Sequence, residues 1–327
     1  MLSPTMNTTA VPSFLDAEQL RYLTTHAPFY YTPRTSLVSW APDHIFALAV
    51  PVIAYWVLSG FFHILDVSEW KWLDKYRIHE SEEVKSRNLV SRQDVLIAVV
   101  FQHVVQTVLG YWWIDEKPVG AQVDHLSAIL RLAGPMSWIV RSVCGEELGG
   151  QLLSTKGAQG LYTLYWWAIP AAKLLLGMFI IDTWQYFLHR AMHVNTFLYK
   201  KFHSYHHRLY VPYAFGALYN HPFEGFLLDT VGAGIAEWVA HLTTREAMLL
   251  FGISTLKTVD DHCGYRLPWD PLQLISSNNA DYHDIHHQVI GIKSNFSQPF
   301  FIHWDAILGT RMTRQDIELR RQQRKTQ

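Results

Sequence analysis

Two long runs without a charged residue constrain this chain most strongly. Residues 45–65 contain no Asp, Glu, Lys or Arg, and neither do residues 95–114. About 20 helical residues, rising roughly 1.5 Å each, cross a hydrocarbon core about 30 Å thick. One such run could be a buried helix of a soluble protein, but two indicate membrane spans. Pairs of tryptophans lie near one end of each run, as is typical of a membrane interface.

Two further regions are apolar but less regular. A third run, 161–181, contains a proline and Lys173, whose charge has to snorkel or face a polar interior. A fourth region, 223–256, carries several charged residues, and we interpret it as two short helices that form a hairpin or a re-entrant pair. Asp229 and Glu237, eight residues apart, share a helical face that should look inward.

These regions predict an all-α integral membrane protein with about four to five crossings or re-entrant segments. A helical catalytic cap, which carries the histidines described below, would face the cytosol. The predicted divisions are an N-terminal segment, 1–44; the first two spans with the loop 66–94 between them, 45–160; a catalytic region, 161–312; and a basic C-terminal tail, 313–327.

The charges of the loops predict the orientation. Residues 1–42 hold two basic residues, whereas the loop 66–94 holds six. Loops rich in Lys and Arg stay on the cytosolic side. Counting spans from that loop brings the histidine-rich segments and the C-terminus to the cytosolic face.

The composition excludes two classes of protein. The 27 Lys and Arg nearly cancel the 28 Asp and Glu, so no large basic surface exists to hold a nucleic-acid backbone. The two cysteines permit at most one disulfide bond, which excludes a disulfide-built secreted scaffold. The unusual count is 18 histidines, of which 12 lie between His189 and His303.

Three histidine boxes dominate that stretch: HRAMH at 189–193, HSYHH at 203–207 and HDIHH at 283–287. On a helix, the i, i+3, i+4 spacing predicts that the three rings of one box point in one direction. Imidazole is the commonest metal ligand in proteins. The predicted metal ligands are therefore His189, His193, His203, His206, His207, His283, His286 and His287.

Other residues could complete the site. His221 and His262 are additional candidate ligands, and each lies near carboxylates in the sequence. Carboxylates often accept the second ring N–H of a ligating histidine. We assign that supporting role to Asp182, Glu224 and Asp261. The other histidines are interpreted as structural or surface residues: His26, His44, His63, His79, His103, His125, His241 and His303.

Eight imidazoles exceed the three or four ligands of a zinc site and suit two adjacent metal ions. Two irons held mostly by imidazole can activate dioxygen and attack an unactivated C–H bond. A zinc protease would need HExxH, but Arg190 occupies the second position here. The alternative from another class is a histidine-rich membrane protein that binds or transports metal. A transporter would place its ligands near mid-membrane rather than beyond the ends of the spans.

The boxes, together with YNHPFEG at 219–225, resemble those of the fatty acid hydroxylase superfamily of membrane oxygenases. The flanking sequences, such as AYWVLSGFFHILD and DDHCGYRLPWDP, are most similar to sphingolipid C4-hydroxylases. This resemblance implies a diiron centre that faces the cytosol, a location in the endoplasmic reticulum and a role in sphingolipid biosynthesis. It also implies hydroxylation of sphinganine or dihydroceramide at C4. Sterol desaturases, sterol methyl oxidases and fatty acyl hydroxylases share the boxes and remain alternatives.

The resemblance also implies an external source of electrons. The chain contains no HPGG or CxxCH haem motif and no GxGxxG after a strand. Electrons would therefore come from a separate carrier, which the resemblance implies is cytochrome b5 with its NAD(P)H reductase. Basic residues near the boxes could dock an acidic carrier or contact anionic lipid headgroups: Arg190, Lys200, Lys201 and Arg208.

The position of C4 gives a last expectation. C4 lies only a few bonds from the polar amino-diol headgroup of a sphingoid base. A headgroup held near the interface by Asp182, Glu224 or another inward carboxylate would bring C4 to the metals.

Overall fold

The computed structural model describes residues 11–68, 70–113 and 123–325. Within these ranges the regular structure is helical, apart from an isolated β-bridge between Arg77 and Tyr265. The helices in chain order are α1 (Ala17–Thr25), α2 (Asp43–Val67), α3 (Lys71–Asp74), α4 (Ser81–Arg87), α5 (Arg92–Trp113), α6 (His125–Arg131), α7 (Ala133–Cys144), α8 (Glu146–Thr163), α9 (Ile169–Val194), α10 (Thr196–Leu198), α11 (Pro222–Gly225), α12 (Gly232–Val239), α13 (Thr244–Asp261), α14 (Pro271–Ile275), α15 (Ala280–His287), α16 (His303–Ile307) and α17 (Arg314–Lys325).

Short segments of different winding connect some of these helices. Wider π turns occupy Leu164–Ala168, Tyr199–His203 and Phe226–Val231, and tighter 3₁₀ turns occupy His206–Arg208 and Ala214–Leu218. Single π turns inside helices occur frequently at functional sites. Here the second π turn and the first 3₁₀ turn carry the second histidine box.

Three helical stretches of the described residues are long and apolar enough to cross a membrane: Asp43–Val67, Arg92–Trp113 and Glu146–Val194. They confirm the prediction of an all-α protein with membrane-spanning helices. The third stretch extends well beyond the predicted run 161–181, and its last turns carry the first histidine box.

The chain forms two compact units. The first unit comprises the described residues of 1–39 and 116–173. Its first helix, α1, begins with a capping box, because the Asp16 carboxylate accepts a hydrogen bond from the Gln19 N–H at 2.8 Å. The apolar core of this unit consists of Leu15, Leu23, Ile129, Leu130, Ala133, Ala158 and Leu161.

A proline explains the π turn at the end of this unit. Pro170 has no N–H, so the carbonyl of Trp166, four residues earlier, loses its usual helical partner. The Tyr30 hydroxyl donates a hydrogen bond to that carbonyl. The wider turn accommodates the proline, and the carbonyl stays paired.

The second unit comprises the described residues of 40–115 and 174–327 and contains all three histidine boxes. In it, α2 packs along α13, and Tyr55, Val99 and Val259 belong to one buried cluster of α2, α5 and α13. The Tyr55 hydroxyl donates to the carbonyl of Phe215 at 2.7 Å. This bond fixes the segment that follows the second histidine box against a membrane helix.

The region predicted as a hairpin, 223–256, does form two helical arms. The first arm runs from α11 through the π turn to α12, and the second is α13. The second arm has 18 residues and is not short, because it continues past residue 256 to Asp261. A capping box of Thr243 and Glu246 starts this helix. Asp229 and Glu237 line the same cavity, as expected of an inward face.

Candidate metal centre

Nine buried histidines form two groups in the second unit. In each group, every member offers one ring nitrogen, and these nitrogens all lie within 4.8 Å of one another. The first histidine group is His189, His193, His203, His207 and His286. The second histidine group is His206, His262, His283 and His287. The groups are adjacent, since the ring centroids of His207 and His287 are 4.8 Å apart.

Several Nε2 atoms of the first histidine group lie close to one another. The Nε2 atom of His203 lies 2.7 Å from that of His193 and 3.0 Å from that of His207. The Nε2 atom of His189 lies 3.1 Å from that of His203. The Nε2 atom of His286 is buried and has no hydrogen-bond partner.

The second histidine group has the same pattern. The Nε2 atom of His283 lies 3.0 Å from that of His262 and 3.1 Å from that of His287. His206 and His262 place their Nε2 atoms 3.5 Å apart. All four rings are buried.

These spacings fit a metal ion in each group. Two imidazole nitrogens bound at about 2.1 Å and at right angles to each other lie about 3.0 Å apart, and about 3.4 Å apart in a tetrahedron. Without an ion, neighbouring rings that both carry their proton on Nδ1 would bring Nε2 lone pairs face to face at these distances. The residues therefore have the donor chemistry and the spacing of two imidazole metal sites.

Backbone carbonyls orient most of the rings through the other nitrogen, Nδ1. Five Nδ1 atoms lie 2.7–3.1 Å from a carbonyl oxygen: His189 to Phe296, His206 to Tyr219, His262 to Thr258, His286 to Ser294 and His287 to Leu209. A proton on Nδ1 leaves the lone pair of Nε2 free for a metal. Sequence analysis missed these acceptors, because a carbonyl oxygen is present in every residue.

Burial also favours the form of imidazole that binds metal. Desolvation lowers the pKa of His206 to about 4 and the pKa values of His262 and His286 to about 3. These rings are therefore neutral at physiological pH. Only neutral imidazole offers a lone pair to a metal, so metal binding at these three rings requires no deprotonation.

Each HxxHH box is divided between the two groups. His203 and His207, four residues apart, belong to the first group, whereas His206 belongs to the second. His283 and His287 belong to the second group, whereas His286 belongs to the first. The prediction that all three rings of a box point in one direction is wrong. On a helix, residues i and i+4 differ by only about 40° in direction, whereas i+3 and i+4 differ by about 100°.

Glu224 lies against the first histidine group. Its Oε1 atom accepts a hydrogen bond from Nδ1 of His203 at 2.5 Å, and both side chains are buried. Burial raises the pKa of the Glu224 carboxyl well above its ordinary value, and the nearby Asp229 adds to that rise. A cation on Nε2 of His203 would oppose this rise and favour the carboxylate.

The other two proposed carboxylates contact different partners. Asp182 accepts hydrogen bonds from the backbone N–H groups of Phe300 and Phe301, at 3.0 and 2.6 Å. Asp261 pairs with the buried ammonium of Lys257. Neither carboxylate contacts a ring, so their assignment as ring-orienting groups is corrected. Sequence proximity to a histidine did not identify the group that a carboxylate contacts.

His221 lies outside both histidine groups. Its Nδ1 atom accepts a hydrogen bond from the N–H of Phe223 at 3.2 Å and caps α11. The structure therefore gives His221 a capping role in place of the predicted ligand role. His303 stacks on Phe179, with ring centroids 5.1 Å apart, as expected of a packing residue.

Two further acids were missed by sequence analysis. Asp305 accepts the N–H groups of Phe296 and Ser297 at 3.0 and 2.8 Å, and thereby positions the carbonyl that orients His189. Asp284, inside the third box, contacts His79 at 2.8 Å and pairs with Arg314. It ties α15 to the loop 66–94 and to α17.

The division of the boxes predicts how paired substitutions affect metal content. His283→Ala with His287→Ala removes two ligands of the second group only, so about half of the wild-type metal should remain. His286→Ala with His287→Ala leaves four histidines in the first group and three in the second, so most of the metal should remain but bind more weakly. Metal per chain, measured by emission spectrometry on purified protein, distinguishes the two double variants. Equal metal content in both would contradict the division.

Glu224→Gln tests the carboxylate behind His203. The substitution replaces a charged acceptor by a neutral amide of nearly the same shape, so metal affinity should fall roughly 10-fold or more. Glu82→Gln is the matched control, because the Glu82 side chain is 83% exposed on the short helix α4. Competition with a chelator gives both affinities. Equal affinities in the two variants would rule out a role for Glu224.

The region that carries the histidine groups matches a known protein family. The family model described as fatty acid hydroxylase matches residues 174–310, which include both histidine groups. The chain is 48% identical to a sphingolipid C4-hydroxylase of Saccharomyces cerevisiae, over 85% of this chain and 74% of that protein. It is 41% identical to a sphinganine C4-monooxygenase of Arabidopsis thaliana, over 82% of this chain and 88% of that protein.

A relative with a different name is also similar. The chain is 38% identical to a very-long-chain aldehyde decarbonylase of Oryza sativa, over 84% of this chain and 93% of that protein. No solved structure matches the chain significantly. Because several of these similarities extend over most of both proteins, the chain belongs to the fatty acid hydroxylase family.

Proposed function

We propose that this protein is an oxygen-dependent membrane monooxygenase that hydroxylates C4 of a sphingoid base in sphingolipid biosynthesis. The observation that carries the proposal is the pair of buried histidine groups, whose Nε2 atoms converge as metal ligands do. The names of the relatives at 48% and 41% identity supply the substrate class. The product would be a base of the phytosphingosine type.

The two histidine groups would hold two iron ions. When bound, two irons held mostly by imidazole supply dioxygen activation, which no side chain can perform unaided. The described residues would orient the ligands and keep water away from the ions. Backbone carbonyls keep the proton on Nδ1 of five rings, and the Glu224 carboxylate holds the proton on Nδ1 of His203. Burial of all nine rings limits the access of water to the centre.

Electrons would come from a separate carrier, which we propose to be cytochrome b5 with its NAD(P)H reductase. Three basic residues of the described chain lie exposed close to the second histidine box: Lys200, Lys201 and Arg208. Arg190, partly buried, lies next to His189. An acidic carrier would be attracted to such a surface, and so would anionic lipid headgroups.

The proposed location is the membrane of the endoplasmic reticulum, with both histidine groups on the cytosolic side. The asymmetry of the loop charges supports this orientation. A tag at the C-terminus should therefore be digested when protease is added outside sealed microsomes. A lumenal marker protein has to survive the same treatment. A protected tag on intact vesicles would overturn the orientation.

Product analysis tests the reaction. Cells that lack their own C4-hydroxylase and express this protein should convert labelled sphinganine into a base with one added oxygen, placed at C4 by tandem mass spectrometry. The same cells should also receive labelled sterol intermediates and a long-chain aldehyde. Oxidised sterol, or loss of the aldehyde, without a 4-hydroxylated base would defeat the proposed substrate. Metal uptake without any oxidised lipid would favour the metal-transport alternative.

A further inference from the structure

A cavity of about 160 Å³ lies among the membrane helices of the second unit. Helices α2, α5, α9, α12 and α13 contribute its walls. Much of the lining is apolar, as in Leu48, Val52 and Phe251, but a polar strip crosses it. That strip includes His103, Gln106, Gln185 and Asp229. Ionisable side chains are costly at membrane depth and usually mark a functional pathway.

Two lining residues connect the cavity to the histidine groups, although none of the grouped rings lines it. Thr258 lines it, and the carbonyl of the same residue accepts the Nδ1 proton of His262. Gln185 lines it one helical turn before His189. A small molecule in the cavity would therefore contact residues that adjoin members of both groups.

The charges of the cavity favour a cationic ligand. Among the described residues, its lining contains two carboxylates, Asp229 and Glu237, one imidazole, His103, and no Lys or Arg. A carboxylate among apolar walls is costly unless it is paired. A cation brought by the ligand would provide the pair.

Asp229 is held in place by two glutamines. Its Oδ2 atom accepts hydrogen bonds from the side-chain amides of Gln102 and Gln106, at 3.2 and 3.4 Å. Both bonds use the same oxygen, so Oδ1 has no hydrogen bond with the described residues. Gly225 makes room for Gln102, since a Cβ at position 225 would lie 2.7 Å from that amide. Gly225 directly follows Glu224, whose carboxylate contacts His203 of the first histidine group.

His103 provides an independent sign of a ligand. Its side chain lines the cavity and is only 8% exposed, and its Nδ1 atom is buried without a hydrogen-bond partner among the described residues. A buried polar group without a partner carries a free-energy cost that a bound ligand can remove. A hydroxyl group beside the ammonium of an amino-diol would supply the partner.

We propose that Asp229 binds the protonated amino group of the substrate in this cavity, with His103 beside a hydroxyl. This inference rests on the proposed function and identifies the form of the substrate as the free base. Three bonds separate the amino nitrogen from C4, which is roughly 4 Å in an extended chain. Anchoring the amine at Asp229 therefore holds C4 within a short distance of that carboxylate.

The alternative form, an N-acylated base, lacks both features that the cavity recognises. An amide carries no positive charge, and its acyl chain needs space beside the nitrogen. The amide could still donate one hydrogen bond to Asp229, but it would leave the carboxylate charge without compensation. The two forms therefore differ most at this one contact.

Equilibrium binding tests this inference without turnover. Radiolabelled sphinganine and N-acetylsphinganine are bound to the purified full chain in nanodiscs. The wild-type protein should bind sphinganine more tightly. Asp229→Asn should weaken the binding of sphinganine about 10-fold or more and that of N-acetylsphinganine by less than about 2-fold. Asp229→Glu, which keeps the charge, should restore most of the preference.

Two controls separate charge recognition from damage to the cavity. Asp94→Asn makes the same chemical change at the exposed start of α5 and should change neither affinity. His103→Phe should weaken both ligands alike, because both keep their hydroxyl groups. Metal content and thermal unfolding of each variant check that the protein is folded.

Three results would overturn the inference: a wild-type preference for N-acetylsphinganine, unchanged binding in Asp229→Asn, or equal weakening of both ligands without rescue by Asp229→Glu. Failure of the proposed function gives a different result. In that case the wild-type protein, supplied with its electron donor, forms no 4-hydroxylated base from either ligand, whatever the binding shows.

Discussion

Six of the nine grouped imidazoles have an acceptor beside Nδ1, which keeps the ring proton there and leaves a lone pair on Nε2. Several of these lone pairs meet at short range, since the Nε2 atoms of His189 and His203 lie 3.1 Å apart and those of His206 and His262 lie 3.5 Å apart. Lone pairs that face one another repel. A cation between them would turn that repulsion into attraction, so the arrangement suits a bound metal ion.

The need for acceptors beside Nδ1 constrains the segments that surround the histidine groups. For five of the rings the acceptor beside Nδ1 is a carbonyl oxygen, and these carbonyls come from segments far apart in sequence, such as those of Leu209, Thr258 and Phe296. These segments have to hold fixed positions around the centre. Asp305 serves this purpose for the segment that contains Phe296, and the Tyr55 hydroxyl serves it for the segment after the second box. Such irregular backbone is tolerated where it is buried within the protein.

The sequence predicted most of the residues that form the candidate site, but it predicted fewer of the contacts between them. Uncharged runs identify spans, since the length of a helix and the thickness of a bilayer are fixed quantities. Box spacing located eight of the nine grouped histidines, and His262 was predicted from its neighbourhood. Spacing gives the direction of a ring on its own helix, not the location of its partner. For that reason the division of each HxxHH box, the capping role of His221 and the partners of Asp182 and Asp261 required the structure.

The division of the boxes couples the two histidine groups mechanically. In each HxxHH box, the i and i+4 residues belong to one group and the i+3 residue belongs to the other. The two boxes are opposite in this respect, since His206 joins the second group whereas His286 joins the first. Any shift of either segment would therefore move members of both groups together. Two ions held by these groups would be coupled through both segments, and a reaction that needs both ions at once would depend on that coupling.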